Sequence, residues 1–130
     1  MAATPNRVLG DEAEDAVARA LVAAGWTMLG RNVRVGRDEL DIVAVDPVPP
    51  LALVVVEVRR RGRRDFGLAE ETLDWRKRRA LRRAMATLRE AGRLPDGAPL
   101  PDHQWRFDLV AVEPDGRGGF TLRHHRGLRP

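Results

Sequence analysis

Acidic residues interrupt two apolar runs in the middle of the chain, where a charge is costly to bury. The first run, residues 40–45, follows Glu39 and contains Asp41, and the second run, residues 51–58, contains Glu57. Short runs rich in Val, Ile and Leu predict buried strands. A carboxylate inside such a strand must be paired, protonated or bound to a cation, because an unpaired buried charge is strongly destabilising. These acids are therefore the first candidates for chemistry.

The segment between the two runs, residues 47–50, is rich in proline and predicts the turn of a β-hairpin. If the turn is centred on Pro49, Asp41 lies directly opposite Glu57. Opposed Cβ atoms are about 5 Å apart, and at an effective dielectric constant near 20 two such charges repel by roughly 3 kcal/mol. A divalent cation between them reverses that repulsion, and oxygen ligands suit Mg²⁺ or Mn²⁺. A different register, or neutralisation by nearby arginines, would remove the need for a metal ion.

Lys77 is the only lysine in the chain, and the other obligate cations are arginines. Residues 72–91 predict a helix with an apolar arc that includes Leu73, Leu81 and Leu88, and Lys77 projects near the centre of this arc. A cation there needs an anion, and the strand carboxylates are the candidates. Alternatively, the long side chain extends past the end of the helix into solvent.

Arginines are concentrated in two segments that suit a polyanionic partner. Residues 59–64 hold five arginines in six positions, and such a run repels itself unless an anion lies against it. The outer face of the 72–91 helix carries several more. This distribution predicts nucleic acid as a partner, with DNA favoured. The candidate phosphate-contacting residues are Arg34, Arg60, Arg61, Arg63, Arg64, Arg76, Arg79 and Arg83.

Length and composition exclude several classes of protein. The 130 residues suffice for one domain with one core, and the formal net charge is +4. The absence of cysteine excludes disulfides and thiolate zinc sites. The chain shows neither a signal-peptide pattern nor an apolar run long enough for a membrane span, so we expect a cytoplasmic protein without a membrane partner. His103, His124 and His125 lack ligand or triad spacing and are predicted to be surface residues.

The remaining elements must position the acids. A first helix is predicted to begin with Asp11 as its N-cap, with Glu14 closing a capping box, and to end at Gly25. A helix between the Glu57 strand and the next strand predicts that those two strands run parallel, with a right-handed crossover. Further strands are predicted at residues 26–35, 105–112 and 120–125.

The order of elements, α-β-β-β-α-β(-β), predicts an α/β fold. We expect a mixed central sheet of about four to five strands flanked by one layer of helices. Residues 10–126 are predicted to form a single domain, and residues 1–9 and 127–130 are predicted to be tails.

A known pattern has an Asp on one strand, Glu-x-Lys on the next, a Glu on the preceding helix and a Lys on the following helix. This is the PD-(D/E)xK nuclease pattern, and this chain resembles it. More narrowly, the chain resembles the YraN family of small proteins, regarded as endonucleases and likened to archaeal Holliday-junction resolvases. The resemblance covers residues 10–112. It rests on residues 10–16, 25–26, 31–34, 39–43, 56–61, 66–67, 77 and 106–108.

The resemblance implies a restriction-endonuclease-like fold and a set of metal ligands. Asp41 and Glu57 would bind Mg²⁺ or Mn²⁺, with the Val58 carbonyl beside them and Glu14 reaching the metal directly or through water. Glu39 would be a supporting or alternative acid. The implied activity is hydrolysis of phosphodiester bonds of branched or structured DNA. Nucleases that cut junctions commonly work as dimers, so the resemblance leaves a homodimer open.

Two positions depart from the pattern: the lysine expected two residues after Glu57 is Arg59, and Asp38 stands where the family tends to have glycine. Arginine keeps the positive charge and can hold a phosphate, but with a pKa above about 12 it cannot act as a base. Either Lys77 supplies the missing ammonium group, or the domain binds nucleic acid without cutting it efficiently. The candidate catalytic residues are Asp41, Glu57, Arg59 and Lys77.

Overall fold

A computed structural model describes residues 5–61 and 73–130, with only the backbone described for residues 5–10. The predicted α/β class and the predicted order of elements are confirmed. No helix within these described ranges is long and apolar enough to span a membrane. The elements are α1 (Pro5–Ala23), β1 (Thr27–Val35), β2 (Asp38–Asp46), β3 (Ala52–Arg60), α2 (Trp75–Ala91), β4 (Gln104–Pro114) and β5 (Phe120–His125).

The five strands form one mixed sheet in the order β1-β2-β3-β4-β5. Neighbouring strands are antiparallel except β3 and β4, which are parallel because α2 connects them as a crossover. Residues 52–57 of β3 are all buried. This burial on both faces explains why the sequence of β3 is a continuous apolar run rather than an alternating one.

The helices lie on opposite faces of the sheet, and each one packs on its own apolar core. On one face, Leu81 and Leu88 of α2 pack with Val55 of β3. On the other face, Val17 of α1 packs with Val54, the neighbour of Val55 in the strand. The helices therefore form two layers instead of the predicted single layer, because a sheet that is apolar on both faces needs a cover on each.

Both predicted tails contain ordered structure. Helix α1 begins at Pro5, so the prediction of a tail over residues 5–9 is wrong and Asp11 lies inside the helix instead of capping it. Proline is favoured in the first turn of a helix, where a backbone N–H has no intrahelical acceptor. At the other end of the chain, the Leu128 N–H donates a hydrogen bond of 2.9 Å to the Phe107 carbonyl. The C-terminal segment is thus attached to β4.

Helix α2 begins three residues later than the predicted Thr72. Its first residue is Trp75 and its N-cap is Asp74, whose carboxylate accepts a hydrogen bond of 2.8 Å from the Lys77 N–H. The helix ends at Gly92, which has a φ of 66° and so takes the left-handed conformation common after a last helical turn. The cap fixes Lys77 in the first turn of the helix.

A buried ion network joins β2, β4, β5 and the C-terminal segment. Arg106 donates to Asp46 at 2.8 Å and to both oxygens of Asp108 at 2.8 and 2.9 Å. Asp108 also contacts His124 Nε2 at 2.8 Å and accepts the Gly127 N–H at 3.0 Å. Burial alone would raise the pKa of Asp108, but these hydrogen bonds lower it to about 2. The prediction of His124 as a plain surface residue is wrong, because strand pairing brings it beside Asp108.

The variant Asp108→Asn is expected to lower the free energy of unfolding by about 3 kcal/mol, because the charge on Arg106 would lose a buried partner. Urea unfolding at neutral pH measures this change. The exposed Asp102 offers a matched control, since Asp102→Asn should stay within about 0.5 kcal/mol of the wild type. Equal unfolding midpoints for the two variants would contradict the assigned role of the network.

Candidate active site

The candidate site lies where β2 and β3 separate. Their antiparallel ladder has the predicted register and extends as far as the pair Ile42 and Val56. One position further, the Asp41 carboxylate accepts a hydrogen bond of 2.8 Å from the Val58 N–H. A side chain therefore replaces backbone pairing here, and it brings Asp41 against the part of β3 that carries Glu57.

Asp41 lies at a break in the side-chain alternation of β2. Leu40 packs into the core beneath α2, whereas Ile42 packs into the core beneath α1. Residues two positions apart share a face in a regular strand. The adjacent strand is distorted as well, since Asn32 has a φ of 50°, a left-handed conformation that asparagine tolerates better than most residues. This break allows the Asp41 carboxylate to reach β3.

Three carboxylates form a row, with Asp41 between Glu14 of α1 and Glu57 of β3. Glu14 is 7% exposed and Glu57 is 3% exposed. Arg31 donates two hydrogen bonds, of 3.3 and 3.2 Å, to Glu14 Oε1. At the other end of the row, Lys77 Nζ lies 3.2 Å from Glu57 Oε1. Arginine and lysine thus hold the two ends of a row that has a third acid at its centre.

Burial and crowding raise the pKa values of the two outer acids. Burial and then the charge of Asp41 raise the pKa of Glu57 to about 8, although Lys77 opposes them. Burial and Asp41 also raise the pKa of Glu14, while Arg31 lowers it. Without a bound cation, burial and the neighbouring charge of Asp41 therefore favour the protonated form of Glu57 at neutral pH.

The donor atoms at this point fit a hard divalent cation. Glu57 Oε2 is buried and has no hydrogen-bond partner within the described ranges. Carboxylates and the nearby backbone carbonyl of Val58 are ligands of the type that Mg²⁺ and Mn²⁺ take. No three acidic or histidine side chains among the described residues converge enough to hold a metal ion by themselves. Mg²⁺ in general keeps several waters and often binds one or two carboxylates together with substrate phosphate.

An open cleft of about 490 Å³ runs beside Asp41 on the α1 side of the sheet. Arg34 and Arg60 are both exposed on its walls. Glu39, predicted as a supporting acid, lies opposite Arg34 across β1 and β2, with 3.7 Å between its Oε2 and the Arg34 guanidinium. The cleft therefore combines an acidic interior with arginines at its edge. Its lining residues are Asp11, Ala13, Glu14, Asn32, Arg34, Glu39, Asp41, Val58 and Arg60.

The predicted phosphate-contacting arginines have different environments. Arg61 is 5% exposed, so its prediction as a surface contact is wrong. Its backbone N–H donates a hydrogen bond of 2.8 Å to the Val112 carbonyl and so continues the pairing with β4. Arg83 makes two hydrogen bonds, of 2.9 and 2.8 Å, to Asp38. Four of the predicted residues are exposed, namely Arg34, Arg60, Arg76 and Arg79. Two lie outside the described residues, namely Arg63 and Arg64.

The two candidate catalytic cations are also placed differently. Arg59 is half-buried, and its Nε has no hydrogen-bond partner within the part of the chain that the structure describes. Lys77 reaches inward from α2 to Glu57. Of the two alternatives for this lysine, contact with a strand carboxylate or extension into solvent, the structure shows the first. Arg31 carries no comparable signal, since in the sequence it is one arginine among many. That its side chain faces α1 is visible only once the position of β1 in the sheet is known.

The sequence matches the family model described as uncharacterised protein family UPF0102 over residues 13–112. A UPF0102 protein of Symbiobacterium thermophilum is 40% identical over 114 residues, which cover 86% of this chain and 89% of the relative. One of Pelotomaculum thermopropionicum is 37% identical over 124 residues, 95% of each chain. One of Sorangium cellulosum is 46% identical over 84 residues, which cover 64% of this chain and 56% of the relative.

The raised pKa of Glu57 predicts that the metal-free protein loses stability as the pH rises. Between 4.5 and about 8 only the folded chain holds this proton, so the free energy of unfolding falls by at most about 1.4 kcal/mol per pH unit. Chemical unfolding in EDTA across this range measures the slope. Glu57→Gln, which stays neutral, should remove this contribution, whereas the surface variant Glu90→Gln should follow the wild type. Equal slopes for Glu57→Gln and the wild type would contradict the assignment.

Proposed function

The chain belongs to the uncharacterised protein family UPF0102, and we propose that it is a metal-dependent endonuclease that hydrolyses phosphodiester bonds of branched or otherwise structured DNA. The observation that carries this proposal is the juxtaposition of half-buried Asp41 and buried Glu57, where burial and then the charge of Asp41 raise the pKa of Glu57 to about 8. A buried acid with so raised a pKa, next to a second acid that lines an open cleft, is a physical indication of a functional site.

The residues that would hold Mg²⁺ or Mn²⁺ are Asp41 and Glu57, with the Val58 carbonyl beside them and Glu14 directly or through water. When bound, a divalent cation lowers the pKa of a coordinated water and stabilises negative charge on the attacked phosphate. Glu39 would act at a distance, by adding negative charge to the cleft and orienting Arg34. The partly open donor set leaves room for water and phosphate oxygen.

Lys77 takes the part of the lysine that Arg59 replaces. Its ammonium group lies 3.2 Å from Glu57 Oε1, so it favours the ionised form of Glu57 and lies beside the position where a phosphate would be attacked. An ammonium group has three donors and can orient water and phosphate together. Arg59 keeps its charge throughout, which suits it to hold a phosphate oxygen but not to move a proton.

The exposed arginines would bind the strand on either side of the attacked phosphate. Arg34 and Arg60 line the cleft, and Arg76 and Arg79 are exposed near the start of α2. Contacts of this kind give affinity that falls steeply with salt and carries little sequence information. They therefore favour recognition of the shape of the backbone over recognition of a base sequence.

A nucleic-acid-binding domain with weak or no cleavage is the second candidate, and the presence of Arg59 at the motif position favours it. Such a domain would bind DNA in a salt-sensitive way. Its affinity would be indifferent to EDTA and to Glu57→Ala. Comparing binding with cleavage for the same preparation separates the two functions.

Binding of Mn²⁺ is expected to release about one proton at pH 7 and little above pH 9, because the metal displaces the proton that Glu57 holds. Titration calorimetry in two buffers with different ionisation enthalpies measures the number of protons released. Glu57→Gln should release none, and Glu90→Gln should behave as the wild type. A site that binds Mn²⁺ without releasing a proton at pH 7 would contradict the assignment of Glu57 as a ligand.

In a cleavage assay with Mg²⁺ or Mn²⁺, we expect the wild type to cut junction or flap DNA in preference to plain duplex. Asp41→Asn and Glu57→Gln should be slower by at least about 100-fold, since even the loss of a group that supports a metal ligand costs up to this much. Lys77→Met should lose more activity than Lys77→Arg, which keeps the charge.

Glu90→Gln, purified in the same way, controls for contaminating nucleases. Cleavage at equal rates by the wild type and Asp41→Asn would refute the endonuclease. Binding without any cleavage would favour the second candidate.

A further inference from the structure

Trp75 is the first residue of α2, and 64% of its surface is exposed. The other two tryptophans are better covered, since Trp26 is buried and Trp105 is half-buried. An indole ring buries a large apolar area wherever it can, so an exposed one is suited to an interface. Trp75 has no part in either apolar core, so the packing of the described fold does not account for it.

Trp75 is followed by arginines and preceded by Asp74, whose carboxylate is engaged in capping the helix. The Arg76 guanidinium lies 5.3 Å from the centre of the indole ring, and the exposed Arg79 follows one helical turn later on the same face. A ring beside such cations suits a ligand that combines flat, uncharged groups with negative ones. Bases and phosphates along a nucleic-acid strand meet this description, because every base has a face that stacks on an aromatic ring.

The position of Trp75 connects it to the candidate active site. Its Cα lies about 5 Å from that of Lys77, by helix geometry, and Lys77 contacts Glu57. The two side chains leave the helix on nearly opposite sides, so Lys77 points to the sheet and Trp75 points outward. A strand with one phosphate near Lys77 would have to pass around the first turn of α2 to place another of its bases on Trp75.

We infer that Trp75 is a stacking platform for an unpaired base, and that the substrate class is DNA with unpaired bases next to the attacked phosphate. The inference rests on the proposed function for the location of that phosphate. Bases stacked within an intact duplex cannot reach a protein side chain outside the DNA double helix unless they are flipped out of the stack. The platform therefore selects single strands, forks and junctions over blunt duplex.

Equilibrium binding in EDTA tests this platform separately from catalysis. The probes are a fluorescein-labelled oligothymidine, a splayed fork and a blunt duplex, measured by anisotropy with the full chain at low salt. Trp75→Ala should weaken binding of the first two by about 5- to 100-fold, the range for loss of one stacked base. Binding of the duplex should change less than about twofold, and Trp75→Phe should retain most of the affinity.

Two controls distinguish stacking from charge and from general surface effects. Val48→Ala removes another exposed apolar side chain, 61% exposed and at the β2–β3 turn, and should leave all three affinities unchanged. Arg79→Gln should weaken all three and lower the salt dependence, whereas Trp75→Ala should leave the salt dependence unchanged. Oligothymidine should quench tryptophan fluorescence in the wild type and not in Trp75→Phe.

An equal loss for duplex and single strand in Trp75→Ala, or no loss at all, would overturn the platform. So would a failure of the wild type to bind any of the three probes. If the protein binds as expected but never cuts, the endonuclease fails while the platform stands. If it cuts but Trp75→Ala binds and cuts forks normally, the platform fails while the endonuclease stands.

Discussion

The crowding of three carboxylates, with Asp41 between Glu14 and Glu57, is the constraint on which the candidate site depends. Arg31 and Lys77 balance only the two outer acids, so a fully ionised row would carry an excess negative charge in a buried place. The metal-free chain relieves this charge by protonating Glu57, whose pKa rises to about 8. A proton and a divalent cation are alternative solutions to the same electrostatic problem.

The architecture of the sheet makes this crowding achievable. A sheet covered on both faces allows α1 to supply Glu14 from one side and α2 to supply Lys77 from the other. The ladder between β2 and β3 opens where Asp41 bonds the Val58 N–H, and only such an opening allows a strand residue to reach groups on both sides. The continuous apolar sequence of β3 holds the rest of the ladder in register.

The sequence predicted those features that follow from local periodicity. The turn position determines the hairpin register, and a helical wheel places Lys77 inward, so both could be found without coordinates. Features that depend on packing between distant parts of the chain could not be found in this way. Asp11 has the pattern of an N-cap, yet the helix continues through it. Arg61 is covered where the chain still follows β4. His124 meets Asp108 only through strand pairing. None of these three arrangements leaves a recognisable spacing of residues in the sequence.

Two buried acids that lie one position apart in the register of β3 and β4 have very different surroundings. Asp108 and Glu57 are both almost fully buried. Hydrogen bonds from three groups complete the shell of Asp108 and keep its pKa near 2, so an incoming ligand would have to displace partners that are already in place. Glu57 has Lys77 on one oxygen and no partner on the other within the described ranges. The same cost of burial is therefore met by a closed network of hydrogen bonds at Asp108 and by a raised pKa at Glu57.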